Sequence, residues 1–247
     1  MKFAFLTDKG CVRENNEDHV GVFVPLDEEK HVESALLIVA DGMGGHQGGE
    51  VASQLAVEVI RQTCAESGGS SYGDCLGRAF VAANRVILQR AGESPSLLGM
   101  GSTATALLLS GQDAWFAHIG DSRLYRLRED VLTQLSEDHS LVAEMVKAGL
   151  MTPEQAVRHP SRNIITRALG SDVEPVAQLT GQPIDVQPGD RFLLCSDGLH
   201  DLVSDVEMQA AILGSSPDAA CHALVELAKE RGGKDNISLI IAAVSET

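Results

Sequence analysis

Four aspartates stand at the ends of apolar runs, and each has a small residue beside it. Asp41 follows LLIVA, Asp121 follows AWFAHIG, Asp197 follows RFLLCS, and Asp235 precedes ISLIIAAV. If these runs are strands of an antiparallel sheet, the end of one strand lies beside the start of its neighbour. The sequence therefore predicts that the four carboxylates share one edge of a sheet.

Carboxylates gathered in this way would be partly desolvated and would repel one another. Like charges a few ångströms apart interact by about 4 kcal/mol at an effective dielectric constant of about 20, so protons or cations must neutralise the group. A site rich in oxygen and without Cys or His suits a hard cation, Mg²⁺ or Mn²⁺. A turn aspartate is the alternative for any single one of them. The small neighbours in DG, GDS, SDG and GGKDN favour a shared metal site.

The segment VADGMGGHQGGE places five glycines in the eight positions after Asp41. Glycine lets a backbone approach a ligand closely, so we expect Asp41 to bridge two metals and the Gly42 carbonyl to supply a further oxygen. No lysine follows as in a phosphate-binding P-loop, and Gln47 stands where a dinucleotide motif needs its third glycine. GMGSTA at 99–104 fits that dinucleotide pattern but leads into a strand instead of a helix.

An arginine in CVRENNEDHV, Arg13, stands five residues before Asp18. A single arginine is commonly a surface residue. Beside a pair of cations, however, its planar fork of donors suits a phosphate group. Two metals and an arginine together favour phosphoryl chemistry with a metal-activated water as the nucleophile.

The elements that must hold these side chains follow from hydrophobic periodicity. A helical period predicts helices at 49–64, 72–91, 141–148, 205–213 and 217–231, and Thr152 before Pro153 predicts a further helix start. TATALLLS, AWFAHIG, SRLYRLR and VLTQL are separated only by GQD, GD and ED, which predicts an antiparallel meander. Further strands are predicted at KFAFLT, VGVFV, ALLIVA, VAQLTGQPIDV, RFLLC and ISLIIAAV.

Strands grouped between pairs of helices indicate an α+β fold with antiparallel sheets covered by helices. We find no repeat and no linker in the 247 residues, which predicts one domain over 1–247.

A net charge of −16 argues against nucleic acid as a partner. No apolar run approaches the roughly 18 residues of a membrane span, so we expect no membrane partner. Five scattered cysteines without C-x-x-C favour a reduced, cytoplasmic protein.

Seven segments together resemble the metal-dependent protein phosphatases of type 2C, the PPM family, in its compact bacterial form. In chain order they are RENNED, VADGMGGHQGGEVAS, GMGSTAT, AHIGDSRLYRL, LSEDHSLV, CSDGL and GGKDNIS. The resemblance implies two packed antiparallel sheets flanked by helices, an α-β-β-α sandwich. It also implies hydrolysis of phosphoserine and phosphothreonine in proteins.

Carried over by residue, the resemblance implies two core Mn²⁺ or Mg²⁺ ions and a possible third. Asp41 would bridge the core ions, Asp197 and Asp235 would complete the first site, and the Gly42 carbonyl and waters would hold the second. Asp121 with Asp197 matches the third, weaker site. The remaining matches are Arg13 for the phosphate, Glu17 and Asp18 for orienting metal waters, and Asn236 for supporting the same waters.

Two segments depart from or extend this pattern. Met43 stands where many eukaryotic members carry a histidine that is a proposed general acid, so this acid is missing. His46 is a nearby candidate, and water in the site is the alternative proton donor. Residues 148–170 match a flap, and their basic side chains contact phosphoprotein substrate, gate access to the site, or are simply solvated. These side chains are Arg158, His159, Arg162 and Arg167.

We therefore predict a cytoplasmic, bacterial-type Ser/Thr protein phosphatase in which water attacks phosphorus in line, without a covalent phosphoenzyme. Phosphoproteins are the expected substrates, a cognate Ser/Thr kinase is the expected opposing enzyme in signalling, and a monomer is expected. Two alternatives remain: a non-catalytic relative that binds phosphoproteins, and a metal-dependent esterase for small phosphates. The presence of all four aspartates and of Arg13 disfavours the first.

Overall fold

Two antiparallel sheets lie face to face, and helices cover the outer face of each, in the computed structural model of the chain. The structure describes residues 1–24, 34–44, 48–66, 72–171 and 174–245. This arrangement confirms the predicted α+β class and the α-β-β-α sandwich. No helix in these ranges is both long enough and apolar enough to cross a bilayer.

The strands divide between the two sheets, and all of the pairings are antiparallel. The first sheet contains, in spatial order, β1 (Lys2–Asp8), β12 (Ile237–Ala243), β11 (Arg191–Cys195), β7 (Arg123–Arg128) and β8 (Val131–Gln134). The second contains β10 (Ile184–Asp185), β6 (Asp113–Ile119), β5 (Ala104–Ser110), β3 (Ser34–Met43) and β2 (Asp18–Phe23). Beside this order, β4 (Gly101–Ser102) pairs with β3, and β9 (Gln178–Leu179) pairs with β6.

The helices pack on the outer faces of the sheets. Helices α1 (Gly48–Glu66) and α2 (Tyr72–Glu93) cover the second sheet, and α6 (Asp205–Leu213) and α7 (Pro217–Glu230) cover the first. Shorter helices are α3 (Leu141–Lys147), α4 (Pro153–Val157), α5 (Asp197–His200) and a 3₁₀ turn at Pro95–Leu97. The predicted helices are confirmed to within two residues at each end, and Thr152 caps α4 with its side chain.

Strand β3 shows why its sequence is a continuous apolar run. Leu36 and Ile38 point into the core beneath α1 and α2, whereas Leu37 and Val39 point into the core between the sheets. All four side chains are buried, because both faces of this strand are covered. Burial on both faces fixes the register of the strand that carries Asp41.

Two strand predictions are wrong. The expected four-strand meander is broken, because β6 belongs to the second sheet and β7 to the first. The short GDS connection crosses between sheets instead of turning within one, and Gly120 makes this crossing with a φ of +108°. The single strand expected at VAQLTGQPIDV is two short strands, β9 and β10, and Pro183, which lies between them, has no N–H to donate to a ladder.

The prediction that the four aspartates share one sheet edge is also wrong. Asp41 lies on β3 and Asp121 follows β6, both in the second sheet, whereas Asp197 and Asp235 flank β11 and β12 in the first. Antiparallel pairing aligns strand ends within one sheet. Here the facing ends of two stacked sheets bring the carboxylates together.

Candidate metal centre

Five aspartates form a cluster where the facing ends of the two sheets meet. The pKa of Asp41 is raised well above its ordinary value, first by burial and then by the negative charges of Asp18, Asp197, Asp121 and Asp235. The pKa of Asp197 is also raised, first by burial and then by the negative charges of Asp121, Asp235, Asp201 and Asp18. The structure thus brings together the four aspartates singled out in the sequence, and adds Asp18 to them.

Asp41 is held through its backbone on both sides. Its N–H donates to Thr103 Oγ1 at 3.0 Å, and its carbonyl accepts from the Thr103 N–H at 2.9 Å. The Ser102 hydroxyl also donates to that carbonyl, at 3.0 Å. On the other side Asp41 pairs in register with Asp18 of β2. With its backbone fixed, the Asp41 carboxylate has a defined place at the centre of the cluster.

Asp121 lies on the connection that crosses between the two sheets, and hydrogen bonds with His139 and His200 fix the backbone around it. The Gly120 N–H donates to His139 Nδ1 at 3.1 Å, and the Gly120 carbonyl accepts from the His139 N–H at 2.7 Å. His200 Nε2 lies 3.0 Å from the Asp121 carbonyl. Burial lowers the pKa of His200 to about 3, so the neutral ring donates this hydrogen bond. It links Asp121 to α5, which begins at Asp197.

Ser196 connects the aspartates of the two sheets. Its hydroxyl donates to Asp18 Oδ2 at 2.8 Å and accepts from the Ser238 N–H at 3.0 Å. Its N–H donates to the Ser238 carbonyl at 2.9 Å, which extends the pairing of β11 with β12. The residue before Asp197 therefore joins β2, β11 and β12 at the cluster.

Three carboxylate oxygens of the cluster are buried without a hydrogen-bond partner among the described residues. They are Oδ1 of Asp18, Oδ1 of Asp121 and Oδ1 of Asp197. An unsatisfied buried polar atom costs about 1–3 kcal/mol, and more when it is charged. Oxygen ligands at the ends of two sheets suit Mg²⁺ or Mn²⁺, which would satisfy these atoms. The residues present therefore fit a hard divalent cation.

The Asp235 carboxylate is engaged with Arg13. Arg13 Nη2 lies 2.6 Å from Asp235 Oδ2, and both side chains are partly exposed. Within the described ranges, no three acidic, His or Cys side chains already surround one point as metal ligands would. The pair nevertheless places the Arg13 guanidinium at the rim of the cluster, where the sequence predicted a phosphate contact.

Asn236 organises the loop that carries Arg13. Its side-chain oxygen accepts from the Glu17 N–H at 2.8 Å, and its side-chain nitrogen donates to the carbonyls of Lys9 and Asn15 at 3.0 and 2.9 Å. These three bonds use the amide to hold backbone on both sides of Arg13. Asn236 thus acts on the cluster through this loop.

The glycines after Asp41 allow three segments to meet. A Cβ on Gly42 would lie 2.0 Å from the Gly49 carbonyl oxygen and 2.6 Å from the Glu17 carbonyl oxygen. The side chain of Glu17 lies against Gly49 and its pKa is raised, mainly by burial. Bare backbone therefore lets β3, the start of α1 and the Arg13 loop converge. Met43 ends β3 opposite Gly101, and His46 lies outside the described residues.

A cleft of about 780 Å³ adjoins the cluster on the side of Asp121 and Asp197. Residues of α3 and of the flap line one side, and residues of α5 line another. Arg162 Nη2 reaches across to Asp201 Oδ2 at 3.0 Å. Of the predicted flap residues, Arg162 and Arg167 line the cleft, and Arg158 is exposed at the end of α4.

Sequence reasoning missed the charged floor of the cleft. Arg123 makes a two-pronged contact with Asp138, with Nε at 2.9 Å from Oδ1 and Nη2 at 2.6 Å from Oδ2. Both residues lie in quoted segments of the family resemblance, GDSR and SEDH. Their separation of 15 residues carries no signal of pairing, since only the fold brings them together.

The carboxylate of Asp121 should make the metal-free protein sensitive to pH. Burial, and then the charge of Asp138, raises its pKa from 3.8 to about 7. Between about pH 4 and pH 7, the folded protein therefore keeps a proton on Asp121 that the unfolded chain has lost. This proton stabilises the fold, and its contribution to the free energy of unfolding is lost as the pH rises from about 4 through 7. In chelator at pH 8, the free energy of unfolding of Asp121→Asn should exceed the parent's by about 4 kcal/mol, and at pH 4 the two free energies should be nearly equal.

Urea unfolding at pH 4, 6 and 8 in EDTA measures this difference. The buried His118, His139 and His200 have lowered pKa values and act in the opposite direction. They are present in both proteins and cancel in the comparison. A difference between variant and parent that stays constant with pH would contradict the buried charge at Asp121.

Comparison with known proteins gives three kinds of match. The family model described as Protein phosphatase 2C matches residues 14–229. The serine/threonine protein phosphatase PstP of Mycobacterium tuberculosis is 40% identical over 245 residues. The alignment covers 99% of this chain but only 45% of the length of PstP. The serine/threonine phosphatase stp of Listeria innocua is 38% identical, with 98% of this chain and 95% of that protein covered. A solved catalytic domain of PstP, in complex with two manganese ions, has a TM-score of 0.85 at 39% identity, covering 99% of this chain and 98% of that one.

Proposed function

This chain belongs to the protein phosphatase 2C family of serine/threonine protein phosphatases, and we propose that it hydrolyses phosphoserine and phosphothreonine in proteins with the aid of bound divalent cations. The observation that carries this proposal is the set of three unpartnered, buried carboxylate oxygens on Asp18, Asp121 and Asp197. Bound cations would satisfy these atoms, which no hydrogen-bond donor among the described residues reaches.

Asp41, Asp197 and Asp235 are the residues that would hold two core ions, with the Gly42 carbonyl as a further oxygen. Asp121 and Asp197 would hold a third ion at the inner end of the cleft. The manganese complex of the PstP catalytic domain supports Mn²⁺, and the all-oxygen ligands suit Mg²⁺ equally. The core ions would supply an activated water as the nucleophile for in-line attack on phosphorus.

Residues of the chain would bind the phosphate and orient the waters. Arg13 would bind the phosphoryl oxygens, because its guanidinium lies at the rim of the cluster and can offer two parallel donors. Glu17 and Asp18 would orient waters, and Asn236 would keep their loop in place. Met43 has no proton to give, so water in the site would protonate the departing serine or threonine oxygen.

In the cell, the enzyme would oppose a cognate Ser/Thr kinase on phosphoprotein substrates. We propose that it acts as a cytoplasmic monomer, with residues 1–247 forming one phosphatase domain and 148–170 its flap. The support is the family resemblance and the absence of C-x-x-C pairs in the sequence.

A turnover assay on matched phosphopeptides tests the function. Phosphoserine and phosphothreonine peptides should be hydrolysed in Mn²⁺, and EDTA should stop the reaction. An esterase for small phosphates would instead prefer p-nitrophenyl phosphate over every peptide. Binding of phosphopeptides without any turnover in Mn²⁺ or Mg²⁺ would indicate the non-catalytic relative and overturn the proposal.

Arg162 should affect protein substrates more than small ones. Its ion pair with Asp201 joins the flap to α5 across the cleft, where the peptide chain of a substrate would lie. Arg162→Ala should lower kcat/KM on a phosphopeptide by about three- to tenfold. The same variant should leave kcat/KM for p-nitrophenyl phosphate nearly unchanged.

The matched control is Arg85→Ala, which removes an exposed arginine from α2. This variant should behave as the parent on both substrates. Equal small effects of Arg162→Ala on peptide and small substrate would show that the flap makes no substrate-specific contact.

A further inference from the structure

The cleft beside the metal centre has an apolar wall that the proposed phosphate chemistry does not use. Helix α3 contributes Val142, Ala143 and Val146, and α4 contributes Ala156 and Val157. Val157 stands at the rim with 68% of its surface exposed. The same flap also exposes Leu150 and Ile164. Apolar side chains that line a cleft beside a metal centre, as Val142, Val146 and Val157 do, indicate a surface that another molecule covers.

Six of the charged side chains that line the cleft are paired with one another. Arg123 binds Asp138 at 2.6 Å and Arg162 binds Asp201 at 3.0 Å.

At the rim, Lys147 binds Glu137 at 2.6 Å. Among the lining residues that the structure describes, Arg167, Glu144 and Asp205 have no ion pair, and neither do Asp121 and Asp197 at the metal centre. With Asp121 and Asp197 neutralised by bound cations, the unpaired charges of Arg167, Glu144 and Asp205 leave one excess negative charge, so the wall offers mainly apolar contact.

The position of the cleft identifies what enters it. Asp121 and Asp197 line its inner end, whereas Arg13 lies on the Asp235 side of the cluster. A phosphoryl group held at Arg13 and the cluster would leave the neighbouring residues of the same peptide over the cleft. About 780 Å³ is within the usual size of a ligand pocket and exceeds the volume of one side chain.

We propose that this cleft is a specificity subsite for an apolar side chain that flanks the phosphorylated residue on one side. The inference rests on the proposed function, because the phosphoryl group at the metal centre fixes where the peptide lies. The α3–α4 wall would contact the apolar side chain, and the paired charges of the floor and rim would keep the walls in place.

The test uses phosphothreonine peptides in an alanine–glycine background, with one leucine moved through the four positions on each side. Leucine at one position, on one side only, should raise kcat/KM by about tenfold, mainly through KM. Val157→Ser should reduce this preference to about threefold or less without changing p-nitrophenyl phosphate hydrolysis. Val157→Asp should abolish it and favour arginine at the same position.

Val131→Ser is the matched control, since Val131 is a similarly exposed valine on β8 that does not line the cleft. It should keep the full leucine preference. Equal turnover of all the peptides, or a preference that survives both Val157 variants, would overturn the subsite while leaving the phosphatase function intact. Loss of turnover on every phosphopeptide in Mn²⁺ would overturn the proposed function and the subsite with it.

Discussion

Asp41→Asn is expected to lower phosphopeptide turnover by about a thousandfold or more. Asp41 is the carboxylate whose pKa is raised by the charges of all four other cluster aspartates, so it lies at their centre. An asparagine keeps the shape but removes the charge that two cations would share. Loss of a metal-supported nucleophile corresponds to about 4 kcal/mol or more in the barrier.

The fold should survive this change, because the backbone of Asp41 is held by Thr103 and Ser102 independently of its carboxylate. In EDTA the variant should be at least as resistant to unfolding as the parent, since a repelled charge is gone. Asp113→Asn is the matched control, at an exposed position where β6 starts, far along the strand from Asp121. Turnover by Asp41→Asn close to that of Asp113→Asn would refute the central place of Asp41.

Arg13→Ala is expected to lower kcat/KM on phosphopeptides by about a hundredfold. The guanidinium would donate two charge-assisted hydrogen bonds to the phosphoryl group, together about 3 kcal/mol. Because half of the Arg13 side chain is exposed, truncation should leave the fold unchanged. Removing it also frees the Asp235 carboxylate, so metal affinity should be retained or increased.

Arg13→Lys separates charge from geometry. A lysine restores the positive charge but not the planar fork, so it should recover only part of the lost kcat/KM. Steady-state kinetics on one phosphopeptide, at saturating Mn²⁺, measures all three proteins. If the Arg13→Ala variant and the parent had equal kcat/KM, Arg13 would have no role in binding phosphate.

The parts of the fold that sequence predicted well are the ones with strong local signals. Helices α1, α2 and α7 each bury one face, so their apolar residues recur at the helical period and their bounds were close. The aspartates were also identifiable, because each lies at the end of an apolar run with a small neighbour. Their types and local settings indicated a hard cation before any geometry was known.

Sequence patterns failed where the result depends on which sheet a strand joins. The GD between AWFAHIG and SRLYRLR looks like a tight turn, yet the chain crosses there from one sheet to the other. A short connection has the same composition in both cases, so local rules cannot separate them. The one-turn helix α5 is too short to show a period.

The pairs that shape the cleft were also beyond sequence reasoning. Arg162 and Asp201 are 39 residues apart, and their contact exists because the flap folds against α5. The same is true of the apolar wall, whose members come from two helices and meet only in the folded chain. Tertiary packing, which no local spacing encodes, decides these features.

The proposed chemistry depends on cations that occupy the space between the ends of the two sheets. Anomalous diffraction from crystals grown in Mn²⁺ measures this directly. We expect two strong manganese peaks within ligand distance of Asp41, flanked by Asp197 and Asp235, and a weaker third peak beside Asp121. Absence of manganese between these carboxylates would contradict the proposed chemistry. Nothing would then offset the repulsion between the carboxylates or activate the proposed nucleophile.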